Sequence, residues 1–376
     1  MGADMYCAIC CGPFGNATVG VGRWTYIWRQ HHLRQPWDLE PVHPQHLPGA
    51  ADTGHHCGEG SAVETSQEDS GEDYNYDPHV ILDEVEHGQV RWVCDVYLLG
   101  FDGSRAAFFG PGSHEDFSFV NMDAELDPFG NAQESWECYT DTMQQDPCYP
   151  FHKPCYDVLA RALTGKKQMT DAEVDRLYHV MRKLGEDCGV SLDLDYRLDG
   201  QEYEQFWVVQ RGKEYTVTSP AESPAVSAHL QSVLQLERFR CSSGDAATVP
   251  MPRGQDLFQT LPPEILHSVA AYLDNDQLLQ LLTASRHASA AIRHDNWFWG
   301  LRIQSTMAWF FELLDYLDQA DSGAVSDFDL KRVFVWANGI SRGHVGMKGL
   351  FMVVANRRRI WETSCAAIRQ EYGTTL

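Results

Sequence analysis

The sequence predicts an α+β protein: a mixed N-terminal domain with a small antiparallel sheet and helices, followed by a short helical module and C-terminal helices. Three observations predict this. Short runs rich in Val, Trp, Tyr and Phe lie within the first 220 residues, helical periodicity dominates after Pro220, and a Ser-, Gly-, Pro- and Ala-containing stretch from Ser242 to Gly254 divides the two regimes. A chain of 376 residues that is 43% hydrophobic has enough apolar material for about two or three folded units.

In chain order, residues 1–51 form an N-terminal Cys/His region. From Asp52 to His87 there are eleven Asp/Glu and no Lys or Arg, among many Gly, Ser and His. Low hydrophobicity with one sign of charge cannot offset ordering entropy, so 52–87 is expected to be an acidic disordered insert. Residues 88–240 are expected to be an α+β domain. Within it, Gln89 to Leu99 reads as a strand with one partly wet face, and Phe108 and Phe109 continue the sheet. The stretch between Arg105 and Lys153 has no basic residue, but Phe117, Phe119, Phe129 and Trp136 give it material to pack.

Pro154–Leu163 and Thr170–Leu184 read as helices. In the second, Thr170 is a good N-cap, with Asp171 and Glu173 in the first turn and Arg182 and Lys183 in the last. Gln205–Gln210 and Glu214–Thr218, around Arg211-Gly212-Lys213, predict a hairpin. A linker at 241–256 precedes a helical module at 257–303 and a helical region at 304–376. In that last region Phe310, Phe311, Leu313, Leu314 and Leu317 make one apolar face, and Arg359–Glu371 reads as a final helix.

The segment after the linker is the most informative. Leu261-Pro262-Pro263-Glu264-Ile265-Leu266 opens a helix, because proline is tolerated in the first turn and Glu264 faces the positive helix end. Ile265, Leu266, Val269, Ala270 and Leu273 then occupy one face at helical spacing. Asp274-Asn275-Asp276 stops this helix and caps the next, whose apolar positions are Leu278, Leu279, Leu281 and Leu282. Ser285-Arg286 starts a third piece, and Asp295 caps a further turn carrying Trp297, Phe298 and Trp299 before Arg302.

This order and spacing resembles an F-box, at about 257–303. The shared pattern is Leu-Pro-x-Glu-Ile-Leu, the Tyr272-Leu273 pair, a Leu-rich second helix, Ser285-Arg286 and the closing aromatics. Further phrases resemble a group of fungal F-box domain-containing proteins: Tyr6-Cys7-Ala8-Ile9-Cys10 with Gly12-Pro13-Phe14, Leu98-Leu99-Gly100-Phe101, Pro150-Phe151-His152 with Cys155-Tyr156, Leu192–Tyr196 and Ala355–Trp361. The resemblance implies a Skp-type adaptor as partner and, through it, cullin. It further implies a role as the substrate-recognition subunit of a ubiquitin ligase for an unknown protein target. Leu261, Pro262, Ile265, Leu266, Leu278 and Leu279 are the expected adaptor contacts. So small a helical unit cannot bury all its apolar surface alone, which independently calls for a covering partner. The competing readings are an F-box protein acting without ubiquitination and an enzyme with a pocket in the N-terminal half.

Eleven cysteines, an odd number without regular spacing, point to a reducing compartment. Cys7-x-x-Cys10 has the spacing at which two thiolates of a tight turn bind one zinc, and His152-x-x-Cys155 is a candidate second pair. The other reading is reduced buried thiols beside an unrelated histidine. Cys11, Cys57, Cys148, His55 and His56 compete as ligands. Asp193, Asp195 and Asp199 do not fit a calcium loop, whose sixth position needs Gly where Leu198 stands.

The net charge of -24 excludes an obvious nucleic-acid or anionic-membrane surface. No apolar run approaches the roughly 20 residues of a membrane span, and the first eleven residues carry no signal-peptide pattern. Met1-Gly2 lacks the Ser or Thr of a myristoylation site, having Tyr6 instead. The expected location is therefore cytoplasmic, nuclear or both. Residues 331–376 reverse the charge, with eight Lys/Arg against Glu362 and Glu371. This basic piece reads as a complement to the acidic body, and Arg357-Arg358-Arg359 is a short nuclear-signal candidate. P-loop, dinucleotide and His-Glu-x-x-His motifs are absent, so a non-catalytic role is expected.

Overall fold

A computed structural model describes residues 5–12, 14, 91–93, 95–114, 118–140, 146–185, 192–197, 213–241, 256–293, 295–319 and 327–374. The acidic stretch 52–87, the Gln205–Gln210 run and the 242–254 loop lie outside them. The chain forms two compact units, Met1–Ala221 with Gly343–Leu376, and Glu222–Arg342.

The first unit is built on a five-stranded antiparallel sheet in the order β4-β3-β2-β1-β5, with β1 at Val96–Phe101, β2 at Ala106–His114, β3 at Phe119–Asn121, β4 at Ser135–Glu137 and β5 at Tyr149–His152. Aromatic residues fill its core. Phe109 meets Trp136 at 5.0 Å and Phe101 stacks on Tyr178 at 4.9 Å between ring centroids. The strand expected from Gln89 begins later, because Arg91–Val93 is a 3-10 turn that lets the Trp92 Nε1–H donate to the Val217 carbonyl.

Helices α1 (Lys153–Thr164) and α2 (Asp171–Gly185) match the sequence expectation. Thr170 and Glu173 form reciprocal capping bonds at the start of α2, satisfying donors that the first turn leaves open. The expected strand Glu214–Thr218 is instead a 3-10 turn, Glu214–Val217. The Thr216 and Thr218 hydroxyls donate to the Lys213 and Tyr215 carbonyls at 2.8 and 2.7 Å, which closes the backbone on itself.

The second unit holds α3 (Pro224–Val233), α4 (Pro263–Tyr272), α5 (Asn275–Ala284), α6 (Arg286–Ile292), α7 (Asn296–Thr306), α8 (Phe311–Gln319) and α9 (Leu330–Ile340). Its caps follow the sequence reading. Asp274 and Gln277 form a capping box, Ser285 caps α6, and Asp295 caps α7. The Arg302 guanidinium donates to the Ala270 and Leu273 carbonyls and to Asn275 Oδ1, so it satisfies the open carbonyl end of α4.

The C-terminal helices do not stay together as one region. Residues 304–342 belong to the helical unit, whereas α10 (Met352–Glu362) and α11 (Ser364–Thr374) pack on α1 in the sheet unit, burying Val354, Ile360 and Ile368. The single helix expected over Arg359–Glu371 is broken at Thr363. There the Thr363 hydroxyl donates to the Arg359 carbonyl and the Ser364 hydroxyl to the Ile9 carbonyl. The three consecutive arginines are not displayed as a nuclear signal. Arg357 is fully buried, donating to the Pro220 and Ala221 carbonyls, and Arg358 pairs with Glu362. Among the described residues no helix is long and apolar enough to cross a membrane.

Candidate metal centre

Four of the predicted ligands meet. The Sγ atoms of Cys7, Cys10 and Cys155 and one ring nitrogen of His152 all lie within 4.8 Å of one another, and all four residues are fully buried. Local structure explains the placement of each pair. Residues Cys7 to Gly12 close a tight loop in which the Cys11 N–H donates to the Cys7 carbonyl at 2.9 Å and the Cys7 N–H to the Gly12 carbonyl at 2.8 Å. Cys11 takes a left-handed φ of 58° to turn the chain, which frees the Gly12 N–H to donate to Cys10 Sγ at 3.3 Å.

The second pair sits at a strand-to-helix junction. His152 ends β5, opposite Val96 of β1, and is the N-cap of α1. Cys155 lies in the first turn of that helix, where the positive end of the backbone dipole favours a thiolate. His152 Nδ1 faces the sulfurs, 3.3 Å from Cys10 and 4.0 Å from Cys155, and the His152 backbone N–H donates to Cys7 Sγ at 3.4 Å. Phe14 and Trp92 flank the imidazole with ring centroids at 4.7 Å, restricting its rotation and excluding water.

Burial pushes all three thiols up. At Cys7 the hydrogen bonds from Cys10 and Cys155 and the charge of His152 outweigh it and hold the group well below the usual thiol range. Cys10 and Cys155 remain well above that range, burial being the largest cause at both. A divalent ion binding to all three sulfurs must displace the protons they carry. The cluster can hold a metal ion: four soft or borderline donors converge, none of them a carboxylate.

Side chains from distant elements fix the first loop. Tyr139 Oη donates to the Tyr6 carbonyl at 2.7 Å, Tyr196 Oη to the Ala8 carbonyl at 3.1 Å, and Ser364 Oγ to the Ile9 carbonyl at 2.5 Å. The Ala8 N–H donates to the Pro150 carbonyl. Four of the phrases singled out in the sequence, around Cys7, His152, Tyr196 and Arg359, therefore converge on one place. No spacing rule identifies Tyr139 or Ser364, because they act through backbone carbonyls of residues far away in the chain. Of the competing ligands, Cys11 is outside the cluster, Cys148 forms a β-bridge with Cys138, and Cys57, His55 and His56 lie outside the described residues.

The expected adaptor contacts divide. Pro262 and Ile265 are exposed and Leu261 and Leu279 half-buried, whereas Leu266 and Leu278 are fully buried in the core of the helical unit and so face inward. On α4, Val269 and Tyr272 join Ile265 in an outward stripe at i, i+4 and i+7, with exposures of 37%, 92% and 47% respectively. The single face expected for Ile265, Leu266, Val269 and Ala270 is therefore split, because Leu266 and Ala270 turn inward while Ile265 and Val269 turn outward, and the exposure of Tyr272 had no signal in the spacing. Beside the stripe, a cavity of about 420 Å³ between α4 and α7 is lined by His267, Ala271, Trp297 and Leu301. Comparison with protein-family models, curated proteins and solved structures finds no match to the chain.

Proposed function

We propose that the chain is a non-catalytic recruitment subunit of a Skp/cullin/F-box ubiquitin ligase. Its helical unit binds a Skp-type adaptor, and through it cullin, while the sheet unit carries the surface for a protein target. The carrying observation is the outward apolar stripe of α4. A helix that buries Leu266 and Ala270 on one side while exposing Ile265, Val269 and Tyr272 on another is apolar on more of its circumference than its own unit covers. Anchors at i, i+4 and i+7 fit recognition of one helix by a partner's apolar surface. The receptor contributes no chemistry of its own. It raises the concentration of a target lysine near the charged ubiquitin carrier.

In the sheet unit the metal is zinc, held structurally by Cys7, Cys10, His152 and Cys155. Three thiolates and one imidazole form a closed tetrahedral donor set, and four protein ligands leave no position for a substrate or an activated water. Structural zinc contributes about 10–16 kcal/mol in small zinc domains, comparable with the whole stability of a typical fold at about 5–15 kcal/mol. Binding on that scale would decide whether the N-terminal loop stays docked on β5 and α1.

The test is co-purification of the adaptor with the full chain and with an Ile265→Asp/Val269→Asp variant. Both positions are exposed, so the variant should unfold at the same temperature as wild type while losing the adaptor and cullin. Equal adaptor recovery by both chains would overturn the assignment of the stripe. Recovery of adaptor without cullin by the wild-type chain would replace ubiquitination with an adaptor-bound role.

A further inference from the structure

We infer that Arg359 of α10 is the built-in counter-cation of the metal centre and sets its affinity as a positioning residue. The inference rests on the zinc reading above. Zinc with three thiolates and a neutral imidazole carries a net charge of -1. A buried charge without compensation is costly, and backbone N–H groups such as those of Gly12 and His152 bring only partial positive charge to the sulfurs.

Arg359 is placed to supply the missing unit. Its Nε–H donates to Asn356 Oδ1 at 3.1 Å and its Nη1 to the Tyr196 carbonyl at 3.3 Å, both neutral acceptors. Its Nη2 is sealed from solvent and has no hydrogen-bond partner among the described residues. A guanidinium cannot shed its charge, so an unpaired buried nitrogen on it calls for an electronegative neighbour. The ionisable groups acting most on Arg359 are the sulfurs of Cys10 and Cys155, and their attraction, once they are thiolates, opposes the effect of burial on its charge. The attraction is mutual, because Arg359 also favours the thiolate of Cys10.

The fork geometry makes arginine suitable here. Two of its arms lock the side chain to α10 and to the 192–197 segment, whose Tyr196 in turn holds the Ala8 carbonyl between the two loop cysteines. Arg359 thus links the charge of the cluster to the segment that shapes its first ligand pair. It touches no ligand atom by a hydrogen bond, and its effect is on affinity rather than on ligand identity.

The experiment loads the full chain with Co²⁺ as a spectroscopic probe and with Zn²⁺ in competition with a chelator. Wild type should bind one ion per chain with the absorption of a tetrahedral three-sulfur, one-nitrogen site. Arg359→Met should keep that spectrum and lose about 10–100-fold in affinity, the usual range for an outer-shell partner, and Arg359→Lys should recover much of the loss. In a Cys155→His background the centre has no net charge, so the same Arg359→Met change should have most of its effect removed. Should Arg359→Met fail to fold, Arg359→Gln in both backgrounds makes the same comparison. An Arg359→Met variant with the affinity of a metal-binding wild type, or an equal loss in both backgrounds, would overturn the role of Arg359 and leave zinc standing. Failure of the wild type to take up Co²⁺ or Zn²⁺ would overturn the zinc reading itself.

Discussion

The sheet unit is fastened by bonds between residues far apart in the chain. Cys10 meets His152, Ser364 holds the Ile9 carbonyl, and Arg359 binds the Tyr196 carbonyl. In the helical unit the caps of α5, α6 and α7 are short-range. Asp274 caps through Gln277, Ser285 through Ala288 and Asp295 through Phe298, and Arg302 reaches back about thirty positions to end α4. The first arrangement gathers long-range bonds around one cluster that could hold a metal ion. The second relies on caps and apolar stripes instead.

That contrast can be broken at several points. The largest expected effect is at the centre. Under the zinc proposal, Cys155→Ser removes one of the four candidate ligands from the first turn of α1, and the sheet unit should then bind no metal and lose its cooperative thermal transition while the helical unit keeps its own, as read by calorimetry of the full chain. A single transition lost as a whole would show that the two units do not differ in this way.

Next in size is Arg302→Met. It leaves the Ala270 and Leu273 carbonyls without their donor, and charged hydrogen bonds of this kind contribute about 1.5–3 kcal/mol each. Denaturant unfolding should show the helical unit destabilised by about 2–4 kcal/mol, with metal content unchanged. The smallest is Asp274→Ala, which removes one half of a capping box and should cost about 1 kcal/mol in the same measurement. An equal loss of metal in either variant would contradict the separation.

The same contrast explains what was legible in the sequence. The helix starts between Pro263 and Thr306 were readable, since the caps Asp274, Ser285 and Asp295 act within three positions of themselves, although three helices were expected where four form. The sheet unit was readable in class but less so in detail. Glu214–Thr218 has the composition of a strand, yet its threonine hydroxyls bond locally and turn it into a 3-10 segment. The break at Thr363 depends on Ser364 finding a carbonyl 355 positions away, and no local pattern encodes that partner. The cysteine pair was visible through its spacing. Its proximity to His152 and Cys155 depended on docking against β5, and the role of Arg359 depends on the burial of one nitrogen atom. Burial likewise divided the aliphatic residues of α4 and α5, sending Leu266 and Leu278 inward while leaving Ile265 at the surface.

The most direct test of the metal-fastened sheet unit is segment-resolved hydrogen exchange on the full chain, with zinc bound and after its removal by a strong chelator under reducing conditions. Protection should fall in Val96–Phe101, Tyr149–Thr164 and Met352–Thr374 and stay unchanged across Pro263–Thr306. Identical exchange in the first three segments with and without chelator would contradict the account.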